Sequence, residues 1–380
     1  MMQRPFWIER IEKAWKKRPL VWLSGVRRVG KTTIAGMFPE AIYLNCDLLS
    51  AGRRLEDPEQ FFHSCKKNSV VILDEVHRLK DPSRVLKIAA DEFSHLRILA
   101  TGSSTLSATK KFRDSLTGRK TMVFLPPVLF SECAEVFRIH DLDRRLLHGG
   151  LPEQLLAKEP DQQFFSEWLD SFYARDIQEL FGIRERAGFL NLLKTMLIQS
   201  GGLADYSALS RECEISRITV KSHLEAMTVA HAMYPLRPFH GGSKRELAHR
   251  PKIYAFDTGF ICACRGCEKI RPEDRGLLWE HLVLDTLRVT FSRDNLGFWR
   301  DKSGREIDFV TSSRGKVDAI ECKINPDRFD SKHLQFFRGL YPSGTNYLVS
   351  PGISEPYEMS CGGLPVHVVS CDFFLRHSDE

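Results

Sequence analysis

No stretch of this sequence approaches the roughly 18 consecutive apolar residues that a membrane-spanning helix needs, and no internal repeat or low-complexity tract interrupts it. Cysteine is present ten times in 380 residues but without regular spacing, so a disulfide framework is not expected. The N-terminal segment MMQRPFWIERIEKAWKKRPL is basic and amphipathic and lacks the apolar stretch and small-residue cleavage site of a secretory signal. These absences point to a cytoplasmic chain with reduced thiols and no membrane partner. Cys262, Cys264 and Cys267 lie close together, but no second Cys/His pair of zinc-site spacing follows. A turn with buried thiols is expected there before a metal site.

What is present suits two or three globular domains. The net charge of +6 is carried partly by Arg10, Lys13, Lys16, Lys17 and Arg18 and by a basic stretch from Lys244 to Lys252. Such clusters attract phosphate backbones, and equally often form a solvated face. Between Leu20 and Leu125, short apolar runs alternate with helical stretches: LVWLS (20–24), AIYLN (41–45), VVILD (70–74), LRILA (96–100) and TMVFL (121–125). That alternation predicts an α/β fold with a parallel sheet covered on both faces.

Residues 131–239 read as mostly helical, including FFSEWLDSFYARDIQELF with its apolar residues at helical spacing. Tyr206 to Met227 reads as helix, turn, helix, with Ser216 as N-cap of the second and Arg217, Lys221 and His223 on or near its exposed side. This resembles a winged helix-turn-helix, a module that either packs domains and dimers or contacts DNA through its second helix. From Arg275 onward a long helix, three strand-like runs and a helix near Lys332 suggest a separate α/β domain. Three regions are therefore expected, 1–135, 136–265 and 266–380.

The strongest motif is Gly25-Val26-Arg27-Arg28-Val29-Gly30-Lys31-Thr32, a gapless G-x-x-x-x-G-K-[ST] between an apolar strand and a helical stretch that continues through Thr33. Glycines let the backbone turn around phosphates, and successive N–H groups then face the anion. Lys31 is expected to reach the β- and γ-phosphates of ATP and Thr32 to bind Mg²⁺. Downstream, the strand VVILD ends in Asp74, the candidate for the metal, and Glu75, the candidate general base. The strand RILATGSS ends where AAA-type ATPases carry a polar γ-phosphate sensor. Ser103 is the candidate, with Thr101 and Ser104 behind it. Arg119 either stabilises phosphoryl charge in a neighbouring subunit or makes a structural ion pair.

GVRRVGKTT, VVILDEVH, LATGSS, LTGR followed by PPVLFSE, and GGLPE together resemble the prokaryotic AAA-family ATPases with a C-terminal domain of unknown function. KIYAFDTG, LLWEHLV, FWRDKSGREIDFV and IECK agree with this, so the resemblance covers nearly the whole chain. It implies ATP binding, a helical winged-helix middle and a restriction-endonuclease-like α/β domain at the C-terminal end.

The C-terminal acids carry a second pattern. Glu321 and Lys323 are two apart in a strand and share a face, and the SSRGK turn brings Asp308 beside them. Asp followed by Glu-x-Lys on the adjacent strand is the arrangement of PD-(D/E)xK nucleases, in which carboxylates hold a divalent metal and the lysine steadies the attacking water or the developing charge. Glu280 on the long helix resembles the additional glutamate of such sites. Trp299 and Arg300 either contact a nucleic-acid backbone or serve as core and rim. The expected function is an AAA-type ATPase coupled to nucleic-acid binding, DNA before RNA, and to metal-dependent cleavage, with a second divalent metal at Glu280, Asp308 and Glu321. The alternative is an ATP-dependent switch that binds DNA or a protein through a non-cleaving domain. A single P-loop leaves a motor needing a ring, so a homo-oligomer is a further expectation.

Overall fold

A computed structural model of the chain describes residues 3–102, 106, 110–241, 250–313 and 315–377. Ser103, Ser104 and most of the basic stretch beginning at Lys244 lie outside the described residues. The chain divides into two compact units. The first comprises Met1–Pro126, Trp168–Arg184 and Val229–Ala232, and the second Pro127–Glu167, Glu185–Thr228 and Met233–Glu380.

In the first unit, β1 (Leu20–Ser24), β2 (Ile42–Asn45), β3 (Val70–Asp74), β4 (Arg97–Thr101) and β5 (Lys120–Phe124) form one sheet in the order β2-β3-β4-β1-β5. Every neighbouring pair is parallel. All five residues of β1 and of β3 are buried, as strands covered on both faces must be, which is why they read as unbroken apolar runs. Trp22 meets Phe112 edge to face with centroids 4.9 Å apart, within a core that also takes in Phe62, Leu86 and Phe93. The amphipathic start of the chain is the helix Pro5–Lys17, opened by a proline where no N–H is needed. It buries Trp7, Ile11 and Trp15, and the Trp15 indole donates to the carbonyl of Ile98 at 2.9 Å.

In the second unit, the helix Arg186–Ile198 and β6 (Gly202–Leu203) precede the helices Tyr206–Glu212 and Arg217–Val229, then β7 (Met233–Leu236) and β8 (Lys252–Ala255). The three strands are antiparallel in the order β6-β8-β7. Asp205 caps the helix at Tyr206, and the Ser216 hydroxyl accepts from Thr219 N at 3.0 Å, so both helix starts are fixed by their own side chains. Arg217 and Lys221 are exposed, as expected. His223 is not: it is buried against Phe189, with ring centroids 5.2 Å apart. Its place one turn before Met227, itself buried, puts it on the core face.

The remainder of this unit holds a six-stranded sheet. Its strands are β9 (Leu296–Arg300), β10 (Glu306–Ser313), β11 (Lys316–Cys322), β12 (Asn346–Val349), β13 (Tyr357–Cys361) and β14 (Leu364–Val369). They lie in the order β13-β14-β12-β11-β10-β9, with β11, β12 and β14 parallel and the outer pairings antiparallel. The helices Pro272–Thr290 and Lys332–Leu340 supply Trp279, whose indole donates to Val349 O at 3.1 Å, and Phe337, which packs on Trp299. Trp299 is fully buried and Arg300 pairs with Glu306 at 3.0 Å, so these two are core and rim. The GGLPE and FDTG segments have a structural use. The buried Asp257 carboxylate accepts from Gly150 N at 2.6 Å and Gly259 N at 2.9 Å, capping the helix Thr258–Cys264. Cys262 on that helix is buried, Cys264 and Cys267 are half-buried, and the ten cysteines form no disulfide. No helix among the described residues is long and apolar enough to cross a membrane.

Candidate nucleotide site and carboxylate cluster

The loop from Gly25 to Gly30 joins β1 to the short helix Lys31–Ala35. Gly30 has φ 100°, a left-handed conformation that side chains rarely tolerate. Gly25 is required by close packing, since a Cβ there would stand 2.4 Å from the carbonyl oxygen of Leu125. Val26 and Val29 are buried, so these two can offer a ligand only their backbone, whereas Arg27, Arg28, Lys31, Thr32 and Thr33 line a pocket of about 380 Å³. Lys31 Nζ donates to Gly25 O at 2.9 Å and Val26 O at 3.0 Å. Burial lowers the Lys31 pKa from its ordinary value, although Glu75, Asp176 and Asp74 act against that.

β3 ends in Asp74, with Glu75 next; Glu75 lines the pocket and Asp74 is not among its lining residues. Asp74 is buried; Tyr43 OH donates to its Oδ2 at 2.5 Å and the Thr101 hydroxyl to its Oδ1. Thr101 Oγ1 also accepts from Glu75 N at 3.0 Å, so Thr101 holds the β3 terminus in place. β4, which ends in Thr101, lies between β1 and β3, the position expected of a sensor strand. Glu75 lines the pocket in a left-handed backbone conformation, φ 54°, sparsely populated for a residue with a side chain. Burial opposes its ionisation, but the hydrogen bond with His77, 3.1 Å away, and the charge of Lys31 outweigh this and hold its pKa below the usual glutamate value. Arg119 does not line this pocket. Its Nε lies 2.5 Å from Asp91 Oδ1, as the ion-pair reading anticipates.

Sequence reasoning missed part of the pocket. The run FFSEWLDSFYARDIQELF lies in an α-helix, Gln162–Phe172, that passes through a π-helical turn, Tyr173–Gln178, before a last α-helical stretch, Glu179–Phe181. Arg175, Asp176 and Glu179 line the pocket from this segment. Asp176 Oδ2 pairs with Arg27 Nη1 at 3.3 Å, and the Trp168 indole donates to Arg27 O at 3.2 Å. Burial raises the Asp176 pKa against the pull of Arg27 and Lys31. No signal in the sequence marks the turn: buried residues at Trp168–Leu169, Phe172–Tyr173 and Ile177 keep regular helical spacing. π-turns favour functional sites because the wider turn redirects side chains that a regular helix would align.

In the second unit, β10 and β11 pair with Phe309 opposite Ile320, and Cys322 N donates to Asp308 Oδ2 at 2.9 Å. Lys323 Nζ lies 3.3 Å from Glu321 Oε2 and 3.8 Å from Asp308 Oδ2. Asp308, Glu321 and Lys323 are thus together, as expected. Burial pushes the Glu321 carboxyl well up, and the Asp308 charge adds to this. Glu280, whose side chain is 13% exposed, is pushed up to about 7, by desolvation first and then by Asp308. It is engaged elsewhere, however. Its Oε1 accepts from Tyr254 OH and lies 3.3 Å from Lys252 Nζ. Among the described residues no three His, Cys, Asp or Glu side chains form a group that would hold a metal ion, so the set Glu280, Asp308 and Glu321 is not assembled as metal ligands.

Residues 17–134 match the family model described as "AAA domain". Residues 139–271 and 275–363 match two models described as domains of unknown function (DUF8612 and DUF4143). The N-terminal part is therefore an AAA-type, P-loop ATPase-like domain, followed by regions of families without assigned function. The uncharacterized protein Rv2008c of Mycobacterium tuberculosis is similar over 326 residues at 27% identity, covering 83% of this chain and 72% of its own length. The uncharacterized protein Mb2031c of Mycobacterium bovis matches to the same extent. Among solved structures, a RuvB variant of Thermotoga maritima aligns at TM-score 0.31 and 16% identity, over 62% of this chain and 90% of its own. A STAND signal-transduction ATPase of Pyrococcus horikoshii aligns at 0.29 and 13%, over 77% and 46%.

Proposed function

We propose that this chain hydrolyses ATP in the pocket between the ends of β1 and β3, with nucleotide state governing the action of its C-terminal region. The observation that carries the reading is that Lys31, Thr32 and Glu75 line one pocket, with the buried Asp74 next to Glu75 in sequence. Backbone N–H groups of Gly25 to Thr33 cradle the phosphates and Lys31 turns its ammonium onto them. Thr32, and Asp74 once freed from the hydroxyls of Tyr43 and Thr101, would hold Mg²⁺, which would neutralise phosphate charge. Glu75, held ionised beside His77, takes the proton of the attacking water. Glu75→Gln is expected to keep ATP affinity and to lower turnover by about a hundredfold or more. Unchanged turnover in that variant excludes Glu75 as the base.

A second reading concerns the C-terminal region. The helix pair Tyr206–Glu212 and Arg217–Val229 with β6, β7 and β8 is proposed as a winged helix, and the sheet carrying Asp308 as a PD-(D/E)xK-like domain that cleaves a nucleic acid, DNA before RNA. What favours it is the meeting of Asp308, Glu321 and Lys323 on the β10–β11 hairpin. With Mn²⁺ or Mg²⁺ the purified chain is expected to nick supercoiled plasmid, and Asp308→Ala to lose nicking. Equal nicking by both proteins removes this reading and leaves an ATP-dependent switch that binds DNA or a protein.

A further inference from the structure

We infer that Lys252 is a resident cation of the carboxylate cluster, so that Glu280 is held by an ammonium rather than by a divalent metal, and the cluster takes at most one such metal, at Asp308 and Glu321. The clause about Asp308 rests on the cleavage reading; the clause about Lys252 and Glu280 does not.

Lys252 and Tyr254 are two apart on β8 and therefore share a face. β8 is the central strand of its sheet, with Lys252 opposite Leu203 on one side and Leu236 on the other, so the backbone bearing the ammonium is fixed. The Lys252 side chain is 6% exposed; its Nζ lies 3.3 Å from Glu280 Oε1 and 2.5 Å from Glu306 Oε1, and 5.5 Å from the centre of the Phe298 ring. Tyr254 OH donates to the same Glu280 oxygen. Glu306 has a second cation, Arg300, at 3.0 Å.

On this side of the cluster Lys252 lies between Glu280 and Glu306, and Arg300 gives Glu306 a further partner. The opposite side differs, since the carboxylates of Asp308 and Glu321 share the ammonium of Lys323. A metal recruiting Glu280 would have to compete with the Lys252 ammonium and the Tyr254 hydroxyl for the same carboxylate oxygen, and would leave that buried ammonium with Glu306 alone. A metal at Asp308 and Glu321 would displace only Lys323, whose side chain is 37% exposed and can turn to water. Glu280 thus departs from the ligand role that the sequence pattern suggests for it, and Lys252 supplies the positive charge in its place.

The test is Mn²⁺ titration of the full chain without nucleotide, read by the EPR signal of free Mn²⁺, in an Asp74→Asn background that silences the first site. Glu280→Gln, which keeps an acceptor for Lys252 and Tyr254, is expected to leave Mn²⁺ binding unchanged. Lys252→Gln, and Lys252→Met beside it, are expected to gain a Mn²⁺ or to tighten binding by about tenfold or more, a gain that Glu280→Gln abolishes. Weakening by Glu280→Gln in the parent, or no gain in either Lys252 variant, overturns the inference. If the parent binds no Mn²⁺, the cleavage reading fails, while a Glu280-dependent gain in a Lys252 variant still upholds the resident cation.

Discussion

His281 shows how a single buried side chain ties stability to pH. Its Nδ1 lies 2.8 Å from the carbonyl of Leu277, to which it donates, and its Nε2 accepts from the Ser200 hydroxyl at 2.7 Å, a pattern only the neutral ring can satisfy. Ser200 Oγ also accepts from Ala255 N at 2.7 Å, which leaves its proton for the histidine. Burial lowers the His281 pKa from 6.5 to about 4. Between those values the unfolded chain binds the extra proton and the folded chain does not, so stability rises with pH across this window and is lost as pH falls through it. The effect amounts to roughly 3 kcal/mol. Glu280 and Asp285, both raised to about 7, act in the opposite direction over this window, so the difference between proteins is the test. From pH 7 to pH 4.5, urea unfolding is expected to show wild type losing stability relative to His281→Asn by about that amount, and an equal change in both proteins would count against it.

The same scale decides what was legible in the sequence. Lys31, Asp74 and Glu75 were readable because the chemistry of phosphate binding fixes residue type and spacing within a few positions. Asp176 and Lys252 were not. Asp176 meets Arg27 across 149 positions and Lys252 meets Glu280 across 28, and no local pattern encodes either pairing. His223 was misplaced because one helical turn carries a polar residue onto the core face.

Among elements, the π-helical turn Tyr173–Gln178 connects local backbone geometry to the nucleotide pocket. One residue more than a regular turn rotates Asp176 toward Arg27. Removing the exposed Ala174 should restore α-helical register and swing Asp176 by about 100°. ATP turnover is then expected to fall by about tenfold or more while far-UV circular dichroism stays unchanged. Undiminished turnover would mean that the π-turn has no part in the site. Periodicity could not reveal this turn, because five buried aromatics from Phe164 to Tyr173 fit a regular helix. The five strands of the first sheet were legible to within a residue; β1, β3 and β4, buried on both faces over nearly all their length, read as continuous apolar runs, whereas β2 and β5 are only partly buried. β13 was not, because it is an edge strand with largely exposed side chains.

At the scale of the whole molecule, sequence order and compactness differ. Trp168–Arg184 and Val229–Ala232 come from the middle of the chain and fold into the first unit. There Asp176 meets the P-loop, and the His231 ring lies 2.7 Å from Ser24 Oγ, immediately before Gly25. The chain flanking these segments belongs to the second unit, and that connection is what motivates the proposal that ATP governs that region. The central claim is that the Gly25–Thr33 loop binds ATP and serves its hydrolysis. It is tested most directly by measuring Mg-ATP affinity and phosphate release for the wild type and Lys31→Ala side by side. Binding and turnover by the wild type, both lost in Lys31→Ala while its nucleotide-free melting temperature is retained, is the predicted result. A Lys31→Ala protein with wild-type affinity and turnover would contradict it.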